Sequence, residues 1–253
     1  MTLTDLAVRL AAARAQASVL TLPDDAVASV EDAYRVQSEL AALAHGDVRG
    51  WKVTALAAAD QKKYASSRPV AGALLAPYVH RAPVTIRLSS LVSPLLECEV
   101  AFVLRTDLPA QASPYDTAQI EAAIDAVVPV FELADCRLAA GAPDLMKLAD
   151  AMGNGAFIVG KPVRDWRALD LTNIPIALSL DGVDSEHGSS ARILGNPLLA
   201  VVALANAQPL PAGGLKASQI VTTGTCTNPI APRAGKYVGD FGPLGRVEMT
   251  IAA

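Results

Sequence analysis

The segment Leu95-Leu96-Glu97-Cys98-Glu99-Val100-Ala101-Phe102-Val103-Leu104 limits what this chain can fold into more than any other. Read as a strand, its side chains alternate between two faces. Leu96, Cys98, Val100, Phe102 and Leu104 make one face wholly apolar, with Cys98 as a core residue. The other face carries Leu95, Glu97, Glu99, Ala101 and Val103. Two carboxylates thus stand one strand repeat apart in a segment that reads as buried on both sides. An ionised carboxylate there is costly unless it is paired, hydrogen-bonded or bound to a cation. Their Cα atoms would lie about 6.5–7 Å apart, a span two glutamates can close onto one ion. A solvated sheet face is the plainer alternative, and the apolar flanks argue against it.

A third glutamate, Glu132, lies in a similar apolar run from Val127 to Ala134. Three oxygen donors with no histidine or cysteine at ligand spacing select a hard cation, Mg²⁺, Mn²⁺ or Ca²⁺, over Zn²⁺. His45, His80 and His187 are scattered and read as ordinary surface or hydrogen-bonded residues. Lys52, in the short strand Gly50-Trp51-Lys52-Val53-Thr54, would balance the one negative charge by which three carboxylates exceed a divalent cation. From the residues alone, a lysine with its head at the surface is the plainer reading. Gly153-Asn154-Gly155 and Thr222-Thr223-Gly224-Thr225 offer N–H groups, an amide and hydroxyls to a ligand carboxylate, or are simple turns. No G-x-S-x-G, P-loop, G-x-G-x-x-G or cysteine with a plausible histidine partner is present.

The 253 residues suffice for one large domain with a sizeable core. A net charge of -4, no Lys/Arg cluster and only 4% aromatic residues argue against nucleic acid as a partner. Cys98, Cys136 and Cys226 are odd in number and widely spaced, which suits a reducing compartment. With Arg9 and Arg14 interrupting the first apolar residues, neither a signal peptide nor a membrane span is expected, and the expected location is cytoplasmic.

Residues 4 to 17 read as an amphipathic helix capped by Thr4, and a second helix begins at the capping-box-like Ser29-Val30-Glu31-Asp32 and stops at His45-Gly46. Both read as a structural cap or an oligomer contact. From residue 83 the texture changes to short β-like segments, interrupted by helices at about 116–126 and from Asn196-Pro197 to about Asn206. The expected fold is α+β: a curled, barrel-like mixed β-sheet catalytic domain over 81–253, with an N-terminal helical α/β portion over 1–80 packed closely on it.

The order and spacing of several segments resemble the 2-keto-4-pentenoate hydratase and 4-oxalocrotonate decarboxylase branch of the fumarylacetoacetate hydrolase superfamily. The matching segments are Glu31-Asp32-Ala33-Tyr34-Arg35-Val36-Gln37, Gly50-Trp51-Lys52-Val53, Glu97-Cys98-Glu99-Val100-Ala101, Val128-Pro129-Val130-Phe131-Glu132, Leu148-Ala149-Asp150, Gly195-Asn196-Pro197-Leu198 and Ile220-Val221-Thr222-Thr223-Gly224. The Glu-x-Glu followed some thirty residues later by Glu is the specific part. The resemblance implies Mg²⁺ or Mn²⁺ at Glu97, Glu99 and Glu132, with Lys52 and Asp150 as catalytic residues. Asn154, Thr223, Gly224 and Thr225 are the expected substrate-binding residues. It also implies a homo-oligomer acting on small 2-oxo acids and their enols, with hydration of a 2-hydroxy-2,4-dienoate in aromatic catabolism as the leading activity. Decarboxylation of a 2-oxo-hexenedioate, for which Arg68 or Lys147 would hold the distal carboxylate, is the near alternative. Hydrolysis of an acylpyruvate and non-catalytic binding of a 2-oxo acid are further ones. The chain departs from the branch at Ala151, where an asparagine is common, at Thr54, and across Arg68-Pro69-Val70-Ala71.

Overall fold

The computed structural model describes residues 1–45 and 47–253. Two helices open the chain, α1 (Leu3–Ala15) and α2 (Val30–Leu43), and they pack on each other. The cap of α1 is Thr2 rather than Thr4: its hydroxyl accepts from Asp5 N at 3.1 Å while the Asp5 carboxylate accepts from Thr2 N at 3.0 Å. That reciprocal pair satisfies two N-terminal donors and starts the helix two residues early. Ser29 caps α2 as expected, accepting from Asp32 N at 3.0 Å. The expected stop at Gly46 lies outside the described residues.

Strands β1 (Val48–Thr54) and β2 (Val70–Leu75) flank a short helix α3 (Ala58–Gln61), and β3 (Val79–Arg81) and β4 (Val84–Arg87) follow. The central pair is β5 (Leu95–Leu104) and β6 (Ile124–Ala134), joined through α4 (Thr117–Ala123). The helix expected to reach residue 126 ends at Ala123, because Ile124 already pairs with Leu104 in the sheet. The apolar, β-branched Ile124, Val127 and Val128 explain why pairing wins there. The chain continues through α5 (Asp144–Ala149), β7 (Asn154–Val159), β8 (Pro175–Leu180), β9 (Val183–Ser189), α6 (Leu198–Ala205), β10 (Ile220–Thr225), β11 (Gly235–Asp240) and β12 (Arg246–Ala252).

Seven strands in the order β2-β1-β10-β5-β6-β7-β3 form one sheet curled into a half-barrel, and β4-β12-β11-β8-β9 form a second. This is the expected α+β fold with a curled mixed sheet: β1 runs parallel to β10, while β5 is antiparallel to both β10 and β6. β1 and β2, from the first eighty residues, lie in the same sheet as β5 and β6. The apolar face of β5 is wholly in the core, with Leu96, Cys98, Val100 and Phe102 all fully buried.

Gln37 ties helix to sheet. Fully enclosed on α2, its amide donates to Ala71 O at 3.0 Å and Leu148 O at 2.7 Å, and its carbonyl accepts from Ala73 N at 2.9 Å. Gln37→Ala would strand three backbone groups of β2 and α5, so we expect a loss of about 2–4 kcal/mol in urea unfolding. Among the described residues, no helix is long and apolar enough to cross a membrane.

Candidate metal centre

Strand register assembles the glutamates. Glu97 on β5 is the direct partner of Glu132 on β6, and Glu99 follows Glu97 on the same face. One carboxylate oxygen from each lies within 4.8 Å of the others. Glu99 and Glu132 are almost fully buried and Glu97 is half-buried. β1, two strands away from β5, brings Lys52 alongside: its Nζ is 2.9 Å from Glu132 Oε1 and 3.7 Å from Glu97 Oε2. Lys52 is therefore not a surface lysine, the plainer reading of the residues alone. The signal is the pairing of β1 with β10, which carries Lys52 onto the face of the half-barrel that bears the carboxylates.

Each carboxylate has its own holders. Thr222 Oγ1 donates to Glu99 Oε2, and Gly224 N donates to the same oxygen at 3.1 Å. Asn154 Nδ2 donates to Glu132 Oε1 at 3.2 Å. Glu132 Oε2 and Asn154 Oδ1, both buried, have no hydrogen-bond partner. Three carboxylates face one ammonium, an excess of negative charge in a closed place, and the titration behaviour shows its cost. Burial, followed by the charges of Glu132 and Glu97, pushes Glu99 up to about 8. Burial also raises Glu97, against the opposing pull of Lys52. For Lys52, burial alone would lower the pKa, but Glu132, Glu97 and Glu99 override it and hold the ammonium firmly charged.

An unpartnered buried carboxylate oxygen, an all-oxygen donor set and an uncompensated negative charge are what a hard divalent cation would satisfy. The residues present fit Mg²⁺ or Mn²⁺.

Behind Asn154 lies a charged layer that joins the expected Asp150 to Arg137, which no sequence pattern marks. Arg137, almost fully buried, grips Asp150: Nε and Nη2 donate to Oδ1 at 3.1 and 2.8 Å, and the Arg137 backbone N donates to Oδ2 at 3.1 Å. Arg137 Nη1 also donates to the Asn154 carbonyl at 3.0 Å, and Arg14 of α1 donates to that same carbonyl. Both Asp150 oxygens are thus engaged by Arg137, and the carboxylate is linked to Glu132 through Arg137 and Asn154 instead of standing free. A lone arginine in a loop and one in an N-terminal helix carry no sequence pattern that marks them as buried partners.

Of the remaining expected residues, Gly224 holds Glu99 with its backbone, and Thr225 turns its hydroxyl to Thr227 O at 3.0 Å. Thr223 is fully buried and donates to Val100 O at 2.8 Å, so Thr222 is the threonine whose side chain reaches the glutamates. Ala151 and Met152 both take left-handed φ values, +49° and +54°, and pack against Gly72. A Cβ on Gly72 would come within 2.3 Å of Ala151 O, so only glycine lets β2 approach this turn. Tyr64 reaches the turn from the other side, its hydroxyl 3.7 Å from Met152 Sδ.

No protein-family model matches the chain. It is 31% identical over 206 residues to a 2-keto-4-pentenoate hydratase of Burkholderia vietnamiensis strain G4, covering 81% of this chain and 78% of that protein. It is 30% identical over 213 residues to a 4-oxalocrotonate decarboxylase of Pseudomonas sp. strain CF600, covering 79% and 78%. The chain belongs to the 2-keto-4-pentenoate hydratase and 4-oxalocrotonate decarboxylase family. Its fold matches this family's: the structure of 4-oxalocrotonate decarboxylase from Pseudomonas putida G7, complexed with magnesium and adipate, superposes with a TM-score of 0.85 at 23% identity, over 99% of this chain and 97% of that one. The family that the seven matching segments resemble is the one the whole-chain likeness gives.

Proposed function

We propose that this protein is a metal-dependent hydro-lyase that adds water to a 2-hydroxy-2,4-dienoate, with 2-hydroxypenta-2,4-dienoate as the type substrate. The observation that carries the reading is the buried Glu97–Glu99–Glu132 cluster with its unpartnered Glu132 oxygen. Glu97, Glu99 and Glu132 would hold Mg²⁺ or Mn²⁺, which when bound supplies Lewis acidity toward the oxygens of a 2-oxo acid. Lys52 keeps a fixed positive charge beside the site, where it attracts an anionic substrate and stabilises negative charge that develops on it. Thr222 and Gly224 fix the Glu99 carboxylate, and Asn154 fixes that of Glu132. Asp150 serves as a positioning residue through Arg137, which anchors the Asn154 backbone. Phe157, fully buried, pairs with Glu132 across the sheet and with Leu74 belongs to the apolar cluster beside the glutamates.

Hydration is favoured over decarboxylation by the two cations that would hold a second carboxylate. Arg68 Nη1 donates to Gln208 O at 2.9 Å, and Lys147 pairs with Asp144 at 2.9 Å. Both are engaged elsewhere. The bound partner is a small 2-oxo acid or its enol, and we extend the reading to a homo-oligomer in the cytoplasm. Freshly generated dienol, followed by loss of its chromophore with product identification, tests the activity. Turnover with Mg²⁺ that EDTA abolishes supports the reading. Release of CO₂ from a 2-oxo-hexenedioate without hydration of the dienoate would replace it with the decarboxylase.

Metal binding should also release a proton. At pH 6.5 Glu99 is largely protonated, since its pKa lies at about 8, and a coordinating carboxylate must be ionised. Calorimetric titration with Mg²⁺ in buffers of different ionisation enthalpy should show up to about one proton released per ion at pH 6.5, falling toward zero by pH 9.

A further inference from the structure

The sheet face that bears the glutamates has a second end. Along β5 from Glu99 the same face continues through Ala101 and Val103, and their partners across the sheet are Val128 on β6 and Ile220 on β10. Leu74, Ala101, Val128, Val130 and Phe157, all fully buried, form an apolar cluster of their own that separates the two ends. Beyond that cluster opens a cavity of about 750 Å³, within the size range of small-molecule sites. Its floor is built from valines and Ile220, while Arg49, Arg81, Lys161 and Arg164 stand around it against one acid, Asp125.

This charge distribution runs against the composition of the chain, in which 25 acids outnumber 21 lysines and arginines. Arg164 is 3.3 Å from Asp125, and Arg49 is 3.6 Å from Asp47. Among the described residues, Arg81 and Lys161 have no carboxylate within ion-pair distance. Like charges gathered over a low-dielectric concave wall focus a positive potential into it. Guanidinium groups meet carboxylate and phosphate oxygens in a two-pronged fashion, and the valine floor suits the carbon skeleton between such groups.

We propose that this end of the half-barrel binds a compact, multiply charged carboxylate or phosphate anion, at a site separate from the glutamate cluster. The test is calorimetric titration of the full chain with Mg²⁺ present and ionic strength fixed, using tricarballylate and inorganic phosphate as the probes. Saturable binding of one anion per chain is expected for at least one probe, and which of the two binds more tightly assigns carboxylate or phosphate chemistry. Affinity should fall at least about tenfold in the Arg81→Ala/Lys161→Ala double variant and persist in Glu99→Gln. Both substituted cations are on the surface, so the variant keeps its fold. Absence of saturable binding below about 10 mM would overturn the proposal. So would binding that Glu99→Gln abolishes and the double variant retains, since the anion would then sit at the glutamates. A double variant that changes the assembly state in sedimentation velocity, with no anion bound by the parent, would make the cavity a contact between copies and likewise overturn it.

Discussion

Replacing Glu99 with glutamine should make the metal-free protein more stable than the parent at pH 6.5 while removing its response to Mg²⁺. Glu99 titrates at about 8 in the folded chain, against an ordinary value of 4.5. In the metal-free parent it therefore carries a proton at that pH that the unfolded chain lacks, and glutamine reproduces the neutral folded form without that proton uptake. The glutamine carbonyl can still accept from Thr222 and Gly224, so the local frame persists. The sign of the pH dependence follows. A carboxyl whose folded pKa is raised contributes stability that is complete below its unfolded value, and that contribution is lost as pH rises through about 8. The metal-free parent should thus lose stability between pH 5 and pH 9, Mg²⁺ should restore it, and Glu99→Gln should flatten the curve. Mg²⁺ affinity of the variant should fall by at least about 100-fold, because a direct ligand matters more than the outer partners whose loss costs 10–100-fold. Thermal unfolding over pH, with and without Mg²⁺, measures all three. A variant still stabilised by Mg²⁺ like the parent would remove Glu99 from the site.

The second large effect lies behind the site. Arg137→Ala would leave Asp150 as an unpaired carboxylate in a closed interior and take a donor from the Asn154 carbonyl. Breaking one side of a buried ion pair costs about 3–5 kcal/mol, so the variant should unfold at markedly lower urea. Adding Asp150→Asn removes the stranded charge and should recover part of that loss. The two substitutions together would then be less harmful than their sum, a coupling that a double-mutant cycle reads directly. Additive losses would mean that the pair contributes nothing as a pair.

Arg137 also marks where the sequence stops being legible. The segment opening on Leu95 declares itself, since a strict two-residue alternation with two carboxylates out of place has few readings, and its bounds as a strand, Leu95–Leu104, are those observed. Glu132 was visible for the same reason. Arg137 and Arg14 were not, because an arginine has no periodic context in a loop and reads as solvated on a helix; only the three-dimensional approach of α1 and the 135–154 segment buries them. β9 escaped notice for a related cause. It is an edge strand of mostly exposed polar residues, so no apolar alternation records it. Thr223 is the threonine expected at the ligand, yet Thr222 is the one that reaches the glutamates, since which neighbour faces the carboxylates depends on the register of β10 against β5.

That dependence on register has a consequence for folding. Glu97 and Glu132 face each other across the longest strand pairing in the molecule. A slip of one residue between β5 and β6 would turn Glu132 toward the opposite face and place Phe131 or Leu133 among the carboxylates. Capture by all three glutamates is then available only to chains whose central strands have found their native alignment. A cation bound there would act as a proofreader of strand pairing, withdrawing correctly aligned molecules from the pool of slipped ones as the half-barrel closes.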